Sequence, residues 1–191
     1  MDTTRPSLLI RIRDRDDQLA WHEFDSIYRP LLRRYARAWG LCDAEVEDVV
    51  QQCMATIDRH ITAFDYNSTR GRFKSWLRTM VSNRVKNTLR DRRDVRATTK
   101  DFDGLEEPGL SPEEVFDRLW RQEHLRHCLA LIRPEVEEST FNAFVAYVMK
   151  EQPIEHVCAE LAMTPNQVQA IKSRMIKRLR ERTIELLGEE E

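Results

Sequence analysis

Glycine is nearly absent from the long segments of this chain. Only five occur in 191 residues, and none lies between Gly40 and Gly71 or between Gly109 and Gly188. Turn-rich sheets need residues that accept positive φ, so such stretches favour helices. The apolar pattern agrees. From Asp17 to Ala38, the residues Leu19, Trp21, Phe24, Ile27, Tyr28, Leu31, Leu32 and Tyr35 recur at three- and four-residue steps. That spacing predicts an amphipathic helix, with Pro30 as a point of bending.

Gly40 ends this helix, and Asp43 is expected to cap a second, whose first turn carries Glu45, Glu47 and Asp48 as a helix dipole prefers. Its apolar side is Val46, Val49, Val50, Cys53, Met54 and Ile57. The polar loop "TAFDYNSTRGR" follows, then a third helix from about Phe73 with Trp76, Leu77, Met80, Val81, Val85 and Leu89 on one side. Periodicity stops over residues 97–112, which hold two of the five glycines and two of the seven prolines. This is the expected linker between domains 1–96 and 113–191, able to span at most about 55 Å when extended.

The second half restarts at Ser111 with "SPEE", a cap followed by Pro and then Glu three residues on. Helices are expected over roughly 112–132, 135–150 and 154–162. "TPNQ" at 164–167 repeats the start device, so a tight turn precedes the last helix. Two short helices so joined, the second basic, predict a helix-turn-helix. The fold class is therefore all-α: two small helical domains joined by a flexible linker.

The net charge of −2 conceals a strong segregation. Residues 70–100 carry 11 basic and 2 acidic side chains, and residues 165–182 carry 6 and 1. Residues 101–164 carry 5 basic and 14 acidic. Two basic blocks in an otherwise acidic chain predict two footprints on a polyanion.

In the last helix Val168, Ile171, Met175 and Leu179 form the inward stripe. Asn166, Gln167, Gln169, Lys172, Ser173, Arg174 and Lys177 then lie at or near the outer face, with Arg178 and Arg180. Amides suit adenine edges, and Lys or Arg suits guanine and phosphate. In the first block Ser82, Asn83, Lys86, Asn87, Arg90 and Arg93 share the side opposite the apolar stripe. Phe64, Tyr66 and Phe73 frame a polar loop that could hold an unstacked base, although ordinary core packing is the alternative for each ring.

Other chemistries find little support. Cys42, Cys53, Cys128 and Cys158 have no zinc-ligand spacing and read as neutral thiols. The five histidines form no catalytic arrangement, and His124 with His127 at i, i+3 reads as a solvated pair. No cofactor or metal is expected. No apolar run approaches the roughly 18–20 residues of a membrane span, and the N-terminus is no secretory signal. A cytoplasmic protein is expected.

At this point the order of motifs resembles a known family. The acidic helix "EVEDVVQQCM", the helix "FKSWLRTMVSNRVKNTLRDRR", the linker and the final "KSRMIKRLRE" are similar to bacterial sigma factors of the extracytoplasmic-function group, from about residue 15 to 187. Asp48 with Gln51, Trp76-Leu77 with Asn83 and Asn87, and Lys172-Ser173-Arg174 match the family's forms in order. Departures are Cys53 and Met54, where the family more often has bulkier residues, and "QVQAIKSR" for the familiar "TVKSR".

The resemblance implies a non-catalytic subunit that binds RNA polymerase core and initiates transcription of a specific regulon. Asp48, Gln51 and Gln52 would dock on the clamp of the largest subunit. Phe64, Tyr66, Arg72, Lys74, Asn83, Lys86, Asn87, Arg90 and Arg93 would recognise the melted −10 element. The helix from Pro165 would read the −35 duplex while the domain touches the flap of the second-largest subunit. An anti-sigma factor is the further partner that would hold such a protein inactive. The competing reading is a stand-alone helix-turn-helix regulator, which would leave the first basic block without a use.

Overall fold

The computed structural model describes residues 8–64, 71–95 and 110–187. Eight α-helices occur among them: α1 (Leu8–Arg11), α2 (Gln18–Ala38), α3 (Asp43–His60), α4 (Gly71–Val95), α5 (Pro112–Ile132), α6 (Glu138–Phe144), α7 (Ile154–Leu161) and α8 (Pro165–Leu187). No strand is present among the described residues, and the fold is all-α. Most of the expected linker lies outside the described residues. Contacts divide the chain into two compact units, Leu8–Glu123 and a second whose described part runs from His124 to Leu187.

The first unit is built around rings. Phe73, 3% exposed at the start of α4, touches five of them. Phe24 and Tyr28 of α2 lie 6.1 and 5.5 Å from its centroid, Phe64 5.9 Å, Trp76 5.8 Å and Trp120 of α5 6.3 Å. Trp120 continues to Phe116 at 6.0 Å, and Phe116 to Tyr35 at 5.5 Å. Edge-to-face and tilted pairs of this kind add to the large apolar area that each ring buries. Residues 112–123 thus pack with α2 and α4, in the first unit. The aliphatic layer beneath is Ile27, Leu31, Val46, Val50, Ile57, Leu77 and Val81, all buried.

Local chemistry sets the helix ends. Asp17 caps α2 by accepting the Ala20 N–H at 2.8 Å, and α2 continues through Pro30, whose ring removes one backbone hydrogen bond. Gly40 takes φ of 71° after α2, the left-handed position that favours glycine. The cap of α3 is Cys42, not Asp43: Glu45 reaches back to accept the Cys42 N–H at 2.8 Å. Asp43 becomes the first helical residue and pairs with Arg37 at 3.0 Å. Two further expectations are corrected. Leu19, placed on the inward stripe, is 79% exposed. The sequence reading did not include the N-terminal segment, where Leu8 on a short α1 and Ile12 just past its end are both buried.

The second unit packs Ile132, Ala143, Phe144, Val157, Val168, Ile171 and Met175 into one core. The single helix expected over 135–150 is two pieces. A three-residue turn of 3-10 helix precedes α6, and a π turn, Val145–Met149, follows it, with the Lys150 N–H donating to the Val145 carbonyl at 2.9 Å. Both start devices form as expected: Ser111 and Glu114 exchange bonds of 3.2 and 2.7 Å, and Thr164 and Gln167 bonds of 3.3 and 2.7 Å. Between α7 and α8, Ala162 turns the chain at φ 52°, and the Met163 N–H bonds the Cys158 carbonyl at 3.1 Å.

Because Phe73 joins α2, α4 and α5, Phe73→Ala is expected to cost about 3–5 kcal/mol of stability, the usual range for a buried ring. Urea unfolding followed by far-UV circular dichroism checks this. A loss under about 1 kcal/mol would remove the ring from its central place.

Candidate nucleic-acid interface

The first unit sorts its charges into those that hold the helices and those left outside. At the junction of α3 and α4, Glu45 accepts from the Arg92 Nε at 3.0 Å and from its Nη2 as a second, bidentate contact. Arg92 also donates to the Gly40 carbonyl at 3.4 Å. Arg33 grips Glu47 with bonds of 2.6 and 2.8 Å. Burial pushes the Glu45 carboxyl up, but the hydrogen bonds from the Cys42 backbone and Arg92 outweigh it and hold the group below its ordinary 4.5. For Glu47 the Arg33 hydrogen bond is the main cause of a lowered value. Asp43, Glu45 and Glu47 are therefore consumed by α2 and α4.

Asp48 is left. With Gln51 and Gln52 it stands exposed on α3, and none of the three side chains has a partner among the described residues. The spacing i, i+3, i+4 puts them on one face.

On α4 the inward stripe is Phe73, Leu77, Val81 and Val85, with Trp76, Met80 and Leu89 half-buried beside it. Asn83, Lys86, Asn87 and Arg90 are exposed at i, i+3, i+4 and i+7, so one face presents two amides and two cations. Arg90 has only a loose contact of 4.0 Å with its neighbour Asp91. Ser82, expected on that face, instead shares a hydrogen bond of 2.8 Å with the Tyr35 hydroxyl. Lys74 pairs with Asp117 at 3.0 Å and lies 5.9 Å from the Trp120 ring, which ties it into the fold. Phe64 is half-buried against Phe73 and Trp76, the latter 5.3 Å away. Of the three rings expected to frame the loop, Phe73 is core. Tyr66 lies outside the described residues, as do the side chains of Arg72 and Arg93.

In the second unit α8 turns Val168, Ile171 and Met175 inward and leaves Leu179 half-buried. Asn166, Gln167, Gln169, Ser173, Arg174 and Lys177 are exposed, and Lys172 is half-buried. Gln167 spends its carbonyl oxygen on the Thr164 cap at 2.7 Å. Gln169 donates from Nε2 to the Tyr147 hydroxyl at 2.8 Å, and the Lys172 Nζ stands 5.5 Å from the centre of the same ring. Arg178 and Arg182 are turned to Glu135, Arg178 through its carbonyl. Tyr147 is the contributor that the sequence reading missed; its place follows from the π turn, which has no plain sequence signature.

His124 and His127 are 4% and 8% exposed, not the solvated pair expected. No group of three or more metal-ligating side chains occurs among the described residues. The four cysteines are free thiols, and burial pushes Cys53 up to about 12, so it stays protonated at neutral pH. No helix among the described residues is long and apolar enough to cross a membrane.

With this geometry in place, one comparison is decisive. Residues 26–95 match the family model described as Sigma-70 region 2. Over these residues the chain is similar to sigma-70 region 2 domains. Sigma-70 region 2 spans most of α2 with α3 and α4, the elements that carry both exposed faces described above. Such a domain belongs to sigma factors, non-catalytic subunits of transcription initiation, and it implies binding to RNA polymerase core and to the −10 promoter element. Helices α5 to α8 lie beyond the sigma-70 match. No curated protein matches the chain significantly.

The Glu45–Arg92 clasp joins the two helices of this domain, so its pH dependence is a direct test. A carboxyl held below 4.5 contributes stability that is complete above that value and lost as pH falls through its lower folded value. Glu45→Gln keeps the backbone acceptor but not the charge. It is expected to cost about 0.5–1 kcal/mol at pH 7, with the difference from wild type closing as pH falls below 4.5. Urea titrations at several pH values measure it; a difference independent of pH would refute the assignment.

Proposed function

We infer that this chain is an alternative sigma factor of the extracytoplasmic-function group. The observation that carries the reading is the sigma-70 region 2 match over residues 26–95, which coincides with an exposed acid-and-amide face on α3 and an amide-and-cation face on α4. Asp48, Gln51 and Gln52 dock on the clamp of the largest polymerase subunit. They suit that role because every other acid of the first turns of α3 is already paired inside the unit.

Asn83, Lys86, Asn87 and Arg90 bind the melted −10 strand, with phosphates held by the cations and base edges by the amides. Tyr66, Arg72 and Arg93 are further −10 contacts in this reading, while Phe64 and Lys74 support the surface from within the fold. A captured base offsets part of the few kcal/mol that unstacking costs, so strand opening needs no bond chemistry. Helices α7 and α8 act as a helix-turn-helix that reads the −35 duplex through Asn166, Gln167, Gln169, Lys172, Ser173, Arg174 and Lys177. The unit that carries α7 and α8 touches the polymerase flap. The protein works in the cytoplasm without a cofactor, and an anti-sigma factor or another mechanism controls it.

Run-off transcription from a promoter library, with bacterial core polymerase with and without the protein, tests the whole reading. Transcripts that depend on the protein are expected and would define both promoter elements. No dependent transcript, together with tight duplex binding by the protein alone, would point to a stand-alone regulator. Within that assay Lys172→Glu is expected to reduce promoter output by about 10-fold or more while the circular dichroism spectrum stays unchanged. Asn83→Ala is expected to weaken open complexes, read by permanganate footprinting, more than closed ones. Equal loss in both would take Asn83 out of base capture.

A further inference from the structure

The outer face of α8 is not free-standing. Tyr147, carried on the π turn Val145–Met149, lies beside two of its side chains. Its ring is half-buried against the core that contains Ile171 and Met175, so packing fixes where the hydroxyl can be. That hydroxyl accepts the Gln169 Nε2–H at 2.8 Å, and the ring receives the Lys172 ammonium at 5.5 Å. Gln169 and Lys172 are one turn apart on α8 and exposed or half-exposed. Neither Gln169 nor Lys172 has another polar partner among the described residues.

We propose that Tyr147 is a positioning residue that fixes Gln169 to read adenine, and that it thereby sets one base preference of the duplex site. The argument is one of hydrogen-bond inventory. A glutamine amide has two N–H donors and one carbonyl acceptor, and a free amide can rotate so that donor and acceptor exchange places. With one N–H committed to Tyr147 as the structure places it, the amide is restrained in this orientation. The second N–H and the carbonyl oxygen remain, side by side. That pair is the complement of adenine in the major groove, whose N7 accepts and whose N6 donates. Lys172, held over the ring, has its ammonium confined to the same edge of the helix and is directed to the neighbouring base or phosphate.

The inference rests on the reading of α8 as a groove helix and deepens it. A bidentate amide–adenine pair gives about 5- to 150-fold discrimination against the wrong base. Tyr147→Phe removes the hydroxyl and keeps the ring, so packing and the Lys172 contact survive.

The test uses the full chain and its Tyr147→Phe, Gln169→Ala and double variants in two assays: library run-off transcription with core polymerase, and selection from a random duplex pool by the protein alone. Wild type is expected to prefer adenine at one position. Both single variants should flatten that same position, Tyr147→Phe by on the order of 3-fold or more, and the double variant should do no more than Gln169→Ala. Thermal midpoints should be unchanged. If Gln169→Ala flattens the position and Tyr147→Phe does not, or if Tyr147→Phe weakens all sequences equally, the positioning role is overturned while the sigma reading stands. If no transcript depends on the protein yet duplex selection shows the Tyr147-dependent adenine, the sigma reading fails and this inference survives. Wild-type binding with no preference at any position overturns it.

Discussion

The ring of Phe73 is the contact on which the first unit depends. It stands at the first turn of α4, where the chain emerges from residues 65–70, and it meets rings from α2, α5 and the segment before the loop. A helix held at one end by four rings from other elements cannot rotate about its axis without breaking several of these contacts. The rotation of α4 is thereby set, and with it which side chains face outward. Asn83, Lys86, Asn87 and Arg90 are exposed because Phe73, Leu77, Val81 and Val85 are not. The proposed −10 surface is in this sense a consequence of aromatic packing about three to five turns away.

Ion pairing makes the second selection. Both α3 and α4 are rich in charge, and only part of it is open. Arg33, Arg37 and Arg92 each take one acid from the start of α3, which ties α2 and α4 to it. Lys74 is taken by Asp117 and Ser82 by Tyr35. What is left over forms two chemically distinct faces, acid with amides on α3 and cations with amides on α4. A nucleic acid strand suits the cationic face and not the acidic one, so the separation leaves α3 open to a different partner.

The second unit reaches a similar end by a different device. Its core fixes α8 through Val168, Ile171 and Met175, and the π turn brings Tyr147 to the edge of the exposed face. Recognition side chains are long and lose rotamer freedom when they bind. A hydroxyl and a ring that hold Gln169 and Lys172 beforehand would reduce that loss in the proposed duplex reading.

Sequence alone determined the longer elements and most of their inward faces, because a 3.6-residue period is a local property of the chain. The stripes of α2, α3, α4 and α8, the caps at Ser111 and Thr164 and the outward amides of α4 follow from spacing and from side-chain reach over three residues. Tertiary structure decided the rest. Lys74 and Ser82 are at outward-compatible positions, and only a partner from a distant helix, Asp117 or Tyr35, draws them into the fold. His124 and His127 have the spacing of a solvated pair and are buried. Leu19 fits an apolar stripe, yet no neighbour among the described residues covers it, whereas Leu8 and Ile12, outside any long pattern, are covered. The π turn at Tyr147 is invisible to periodicity, since it changes the hydrogen-bond step from four residues to five without a marker residue. Each of these outcomes depends on which surfaces meet, a long-range fact that local spacing does not encode.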